Sequence, residues 1–152
     1  MVAAATTPKT VPKLKLRPPD PTEDAIHAAI ASALDTLLLP PAMWTTFPAG
    51  QIELNGQQAA KLHRMGMKRG WPDILVVYCS MARGIEVKKP GGILSKRRIV
   101  RSMAHGRPRI VEGQAETFPK LMAAGMPIAI VHSVEEALGA LQCWGIPTRG
   151  VS

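Results

Sequence analysis

The sequence predicts an α/β fold, with a mixed central β-sheet and helices on both faces. Three observations predict it. The chain has 152 residues and 46% apolar content, enough for one domain with a real core. Its apolar residues switch between the 3.6-residue period of helices and the two-residue period of strands. The resulting order is α-β-(α)-β-β-α-β-α, and two of the strands lie close enough to form a hairpin.

Residues 1–21 hold five prolines and four basic groups and read as a flexible arm. Thr22 to Leu39 reads as the first helix. Ile26, Ile30, Ala33, Leu34, Leu37 and Leu38 recur at helical spacing, and Pro40-Pro41 stops the run. Thr22 is its expected N-cap, with Glu23 and Asp24 complementing the helix dipole. Met43 to Phe47 is a short strand. Residues 57–65 form a second helix, broken at Gly66.

Ile74 to Cys79 and Gly84 to Lys88 are the clearest strands, joined through Ser80-Met81-Ala82-Arg83. Alternation puts Ile85 and Val87 on one face, so Glu86 and Lys88 point together to the other. Asp73 starts the first strand. Antiparallel pairing brings that start beside the end of the second, so Asp73, Glu86 and Lys88 converge.

Beyond the Pro90-Gly91-Gly92 turn, Ser95 is expected to cap a basic helix to about His105. Ile99, Val100 and Met103 would face inward, and 106–110 would be loop. A further helix runs to about Ala124, with Gly125 past its end; Pro119 predicts a late start or a kink. Pro127 to His132 is an apolar strand. Ser133 to Glu136 is a capping box opening a last helix to about Trp144. Cys79 and Cys143 are too few for a disulfide framework and read as buried thiols. The histidines lack metal-ligand spacing and read as structural or surface groups, and Trp71 as a packing residue.

The formal charge is +8, from 19 basic and 11 acidic residues. It is unevenly placed. Residues 61–109 hold thirteen basic groups and two acids, whereas the remainder holds six and nine. The middle third is thus a polyanion-binding candidate. A surface that only held phosphate would gain from losing Asp73 and Glu86. A surface that cuts phosphodiesters needs them, because carboxylates hold the divalent metal that activates water. No apolar run is long enough for a membrane span, and Met1 to Ala5 lacks the features of a secretory signal. No glycine-rich phosphate loop or nucleophilic triad pattern points to an organic cofactor or covalent catalysis.

Pro72-Asp73, twelve residues, then Glu86-Val87-Lys88 resembles the PD-(D/E)xK nuclease signature. Gly66 to Leu75, reading GMKRGWPDIL, is similar to the G-x-x-x-G-x-P-D run of the VRR-NUC (virus-type replication-repair nuclease) domain. GIEVK at 84–88 with GILS at 92–95, and GMPIAIV at 125–131 with SVEEA at 133–137, resemble that family's later segments. The resemblance covers roughly residues 22–144. It implies a restriction-endonuclease-like core of α-β-β-β-α-β order over 22–146, with a basic insertion at 95–113 and a tail at 147–152.

The resemblance further implies a Mg²⁺- or Mn²⁺-dependent DNA endonuclease of bacterial or phage replication and repair, cytoplasmic and acting on branched or junction DNA. Asp73 and Glu86 would be the metal-binding carboxylates. Glu23 and the Val87 carbonyl would be additional ligands, Lys88 the group assisting the attacking water, and Gln114 a residue orienting water or Lys88. Lys68, Arg69, Lys89, Lys96, Arg97, Arg98, Arg101, Arg107 and Arg109 would bind DNA phosphates. A homodimer fits a substrate with two strands to cut. The alternative is a non-catalytic nucleic-acid-binding module on the same fold. An RNA-binding protein is weaker, since Phe, Tyr and Trp total only six.

Overall fold

The computed structural model describes residues 20–47, 55–101 and 108–150. The expected N-terminal arm lies outside them up to residue 19. The protein is a mixed α/β structure whose mixed sheet is flanked by helices. In chain order the elements are α1 (Glu23–Leu37), β1 (Met43–Thr46), α2 (Gly56–Arg64), β2 (Ile74–Tyr78), β3 (Met81–Val87), β4 (Arg98–Arg101), β5 (Pro108–Val111), α3 (Gln114–Ala123), β6 (Ile128–Val131) and α4 (Val134–Cys143). Among the described residues no helix is long and apolar enough to cross a membrane.

Among the described residues four strands form the main sheet in the order β1-β2-β3-β6. β1, β2 and β3 are antiparallel neighbours, and β6 lies parallel to β3. The parallel pair needs a long crossover, which the β4–β5 segment and α3 supply. Ile74 and Val76 of β2, Ile85 and Val87 of β3 and Val131 of β6 face one side. They pack there with Ile26, Ile30 and Leu34 of α1 and Ala137 and Leu141 of α4. The two helices begin where the sequence places their caps. The Thr22 hydroxyl accepts from Ala25 N–H and the Ser133 hydroxyl from Glu136 N–H, each at 3.2 Å. Glu136 completes no capping box, since its carboxylate accepts from His132 N–H instead. Pro147 and Arg149 bond back to the end of α1, so the start of the expected tail is docked.

Four expectations are corrected. The β2–β3 connection is the two-residue turn Cys79-Ser80, both with positive φ, and β3 starts earlier, at Met81. This is the backbone sign of a hairpin turn matched to strand twist. Both cysteines are exposed, because Cys79 occupies that turn and Cys143 the outer side of α4. The basic helix after Ser95 and the loop at 106–110 are instead two strands, β4 and β5, paired antiparallel as a separate ribbon. Ile99 and Val100 are exposed on it; Met103 lies outside the described residues. Finally, of the two readings of Pro119 the late start fails: α3 begins at Gln114, with Pro119 inside it. Its first turn is tied from outside, by Ala115 N–H on the Ser95 carbonyl and by the Glu116 carboxylate on Gly113 N–H.

Gly84 explains how Pro72-Asp73 meets the second strand. A Cβ at Gly84 would overlap the Pro72 ring, lying 2.9 Å from Pro72 Cβ. The rigid ring seats on that bare backbone and fixes where Asp73 emerges. Gly84→Ala is therefore expected to destabilise the protein by about 1–3 kcal/mol. Gly139→Ala, in a helix with open space around it, is expected to stabilise by about 0.5–1 kcal/mol. Urea denaturation of both variants measures this. Equal effects of the same sign would contradict the packing role of Gly84.

Candidate functional site

The β2–β3 register pairs Ile74 with Ile85. It therefore sets Asp73 opposite Glu86, both on the face turned from the core. The Val87 N–H donates to Asp73 Oδ2 at 2.9 Å and locks this end of the hairpin. Lys88 follows on the same face as Glu86, its N–H bonded to the Val131 carbonyl of β6. Its ammonium lies 2.5 Å from Glu86 Oε1 and 3.2 Å from a Glu23 carboxylate oxygen. Gln114, first residue of α3, donates from Nε2 to Glu86 Oε1. Thus Asp73, Glu86, Lys88, Gln114 and Glu23 gather, as the sequence predicted for the first three.

The arrangement of the two outer members is specific. Glu23 reaches the centre through Lys88. Val87 meets Asp73 through its N–H; its carbonyl remains an expectation of the resemblance. Gln114 accepts at Oε1 from the Ser95 N–H (3.1 Å) and hydroxyl (3.3 Å), while its own N–H donates to the Ser95 hydroxyl. Hence the two ends of the 95–113 segment meet at Ser95 and Gln114. A Cβ at Gly113 would lie 2.7 Å from the Lys96 carbonyl carbon, so only glycine permits this closure. Although eighteen residues separate them, Gln114 stands beside Ser95, where a short connection would also put it.

The electrostatics are those of two acids forced together. Glu86 is fully buried, and its Oε2 has no hydrogen-bond partner among the described residues. Burial, and then the Asp73 charge, push its carboxyl up to about 7, against the pull of Lys88 and Gln114. Burial likewise raises Asp73 above its ordinary 3.8, against the Val87 N–H, Lys88 and His27. Burial alone would lower the Lys88 pKa; its pairing with Glu86 and then Glu23 outweighs this and holds the ammonium charged. Among the described residues no three His, Cys, Asp or Glu side chains gather as a metal cage. The oxygen donors at hand are the Asp73 and Glu86 carboxylates. They fit a hard divalent cation, whose charge would relieve their repulsion and give Glu86 Oε2 a partner.

A cleft of about 320 Å³ opens on this centre, lined by Asp73 and Gln114 and by Arg69, Lys96 and Arg98. A larger groove of about 600 Å³ shares Arg69, Trp71 and Arg98 with it and adds Lys68. Trp71 packs against Phe47, ring centroids 5.7 Å apart. Arg97 is exposed and lies 3.9 Å from Glu112. Lys89 is exposed in the turn after β3 and lines neither cavity. Arg101 and Arg109 sit on β4 and β5, their side chains outside what is described; Arg107 lies outside the described residues altogether.

His27 was not singled out by sequence. It stands one helical turn beyond Glu23, bonds Thr46 at 2.8 Å and lies near enough to Asp73 to act on its charge. The i,i+4 spacing from Glu23 was the available signal. The fold and centre define a mixed α/β protein carrying a paired-carboxylate and lysine cluster, of which Asp73 and Gln114 line a basic cleft. Comparison with known proteins names no relative: no family model, no curated protein and no solved structure matches the chain.

The raised Glu86 pKa has a stability consequence. Between about 4.5 and 7 the folded state holds a proton that the unfolded chain releases. Stability is therefore expected to fall as pH rises through this window, by on the order of 3 kcal/mol. Asp73 acts with the same sign from 3.8 upward. Glu86→Gln should flatten most of the slope in urea denaturation run across the window without metal. A variant retaining the full slope would place the titration elsewhere.

Proposed function

We propose that the protein is a metal-dependent DNA endonuclease with a restriction-endonuclease-like core, of the VRR-NUC type that its motifs resemble. The observation that carries the reading is Glu86. Its carboxylate sits wholly buried beside Asp73, with one oxygen lacking a partner among the described residues, and Asp73 itself lines a cleft walled by Arg69, Lys96 and Arg98. A structural ion pair does not need the second acid, and a phosphate-holding surface would be weakened by it.

Asp73 and Glu86 would hold Mg²⁺ or Mn²⁺, which when bound supplies Lewis-acid charge to the scissile phosphate and an activated water. The chain's own groups do the rest. Arg69, Lys96 and Arg98 bind the flanking phosphates and set the reacting one against the carboxylates. Lys88 keeps its proton at Nζ and offers positive charge where the attacking oxygen gathers negative charge. Glu23 positions Lys88 from the far side. Gln114 holds Glu86 through its Nε2–H and, through Oε1, ties it to the insertion. In-line attack of the water oxygen on phosphorus would form the new P–O bond and break the one opposite it, the proton shed by the water ending, through solvent, on the departing oxygen. Branched DNA as substrate and a homodimer as active form belong to the same proposal.

Labelled linear, nicked and four-way-junction DNA, incubated with Mg²⁺, Mn²⁺ or EDTA, tests it. Cutting is expected only with metal. Lys88→Ala and Asp73→Asn should each lose at least about 10²–10³-fold in rate while still binding DNA. Cutting that persists in EDTA or in Asp73→Asn would contradict the assignment. Metal-independent binding with no cutting of any substrate would leave a non-catalytic binding module.

A further inference from the structure

The β4–β5 ribbon pairs with no other strand among the described residues. Its register opposes Ile99 to Ile110. These two side chains are 67% and 61% exposed and take no part in the core. Two opposed isoleucines held in water on an isolated ribbon are not explained by folding, since a bare two-stranded hairpin gains little from them there. Arg98, Val100 and Val111 share the other ribbon face and line the groove, to whose lining Ile110 also contributes. From Lys96 to Glu112 the sequence carries six basic residues and one acid.

Either a second copy of the chain or a stack of bases would cover the isoleucine pair. Charge separates them. A second ribbon would bring six more cations against the first, whereas a polyphosphate brings the compensating anions. Apolar side chains flanked by arginines are suited to entering between base steps, where they unstack and kink the duplex.

We propose that Ile99 and Ile110 form a wedge that opens a base step of DNA gripped by the ribbon arginines. This rests on the nucleic-acid reading above and deepens it. The ribbon root is fixed to the centre by Ser95, whose N–H and hydroxyl bond the same Gln114 that bonds Glu86. An opened step is therefore held at a set distance from the carboxylates. The preferred substrate class is DNA whose stacking is already interrupted, at nicks, flaps or branch points, because there the wedge meets the least resistance.

Intact, nicked and four-way-junction DNA carrying 2-aminopurine beside the expected step tests this, in the full chain with Asp73→Asn to prevent cutting. Emission is expected to rise on binding, most with the junction. Ile99→Ser with Ile110→Ser should at least halve the rise while the salt dependence of binding persists. Arg97→Gln with Arg98→Gln should instead flatten the salt dependence. Both isoleucines are exposed, and an unchanged thermal melt of the serine variant checks that it is folded. No rise with bound DNA, or a rise equal in the serine variant, would overturn the wedge. So would a dimer in sedimentation that the serine variant alone breaks, since the pair would then be a self-association face. Cutting without unstacking defeats the wedge and leaves the nuclease; unstacking without cutting by the wild type does the reverse.

Discussion

Two carboxylates of like charge are held on one face of a sheet by the register of a single hairpin. Pairing of Ile74 with Ile85 leaves no other position for Asp73 and Glu86. The Val87 N–H bond to Asp73 closes the end, and the Pro72 ring seated on Gly84 stops it from sliding. The opposite face of the same strands supplies the force that maintains this. Ile74, Val76, Ile85 and Val87 bury against α1 and α4, and a one-residue slip of β2 along β3 would turn Ile74 and Val76 out of that core. The arrangement is costly at Glu86, whose burial and neighbour both oppose its charge. Hydrophobic packing on one side thus sustains electrostatic strain on the other.

The partners around Glu86 come from three separate parts of the chain. Glu23 arrives on the first turn of α1, Lys88 past the end of β3, and Gln114 at the start of α3. Gln114 has a further part, since its other amide atom accepts from Ser95. Ribbon root and buried carboxylate are therefore neighbours through one side chain. The basic wall and the acidic centre are built as one unit, with Arg98 of the ribbon and Arg69 before β2 on a common cleft.

Much of this was legible in the sequence where the signal was local. The α1 stripe, its Thr22 cap and the strand alternation of 74–78 and 84–87 each lie within a few residues. The convergence of Asp73, Glu86 and Lys88 followed from alternation and the antiparallel pairing of neighbouring strands. The ribbon was not legible, for a physical reason. Ile99, Val100 and Met103 have helical spacing, and Ser95 resembles an N-cap. The competing pairing of 98–101 with 108–111 is a contact across a loop, invisible to a local window. Ser95 spends its hydroxyl on Gln114 and Gln114 N–H, not on a helix of its own. The Cys79-Ser80 turn escaped for a related reason: its positive-φ positions lack the Asn or Gly that usually announces them. His27 escaped because a lone histidine on a helix carries no message until Asp73 is placed beside it.

The proposed nuclease activity requires that Asp73 and Glu86 form one divalent-cation site. Metal binding there must displace the proton that burial and Asp73 retain on Glu86 near neutral pH. Calorimetric titration with Mn²⁺ at about pH 6, in buffers of different ionisation enthalpy, counts that proton. The account predicts one site, release of nearly one proton per ion, and loss of the site in Asp73→Asn. It also predicts loss of the proton release in Glu86→Gln. Binding without proton release, or binding unchanged in both variants, would contradict it.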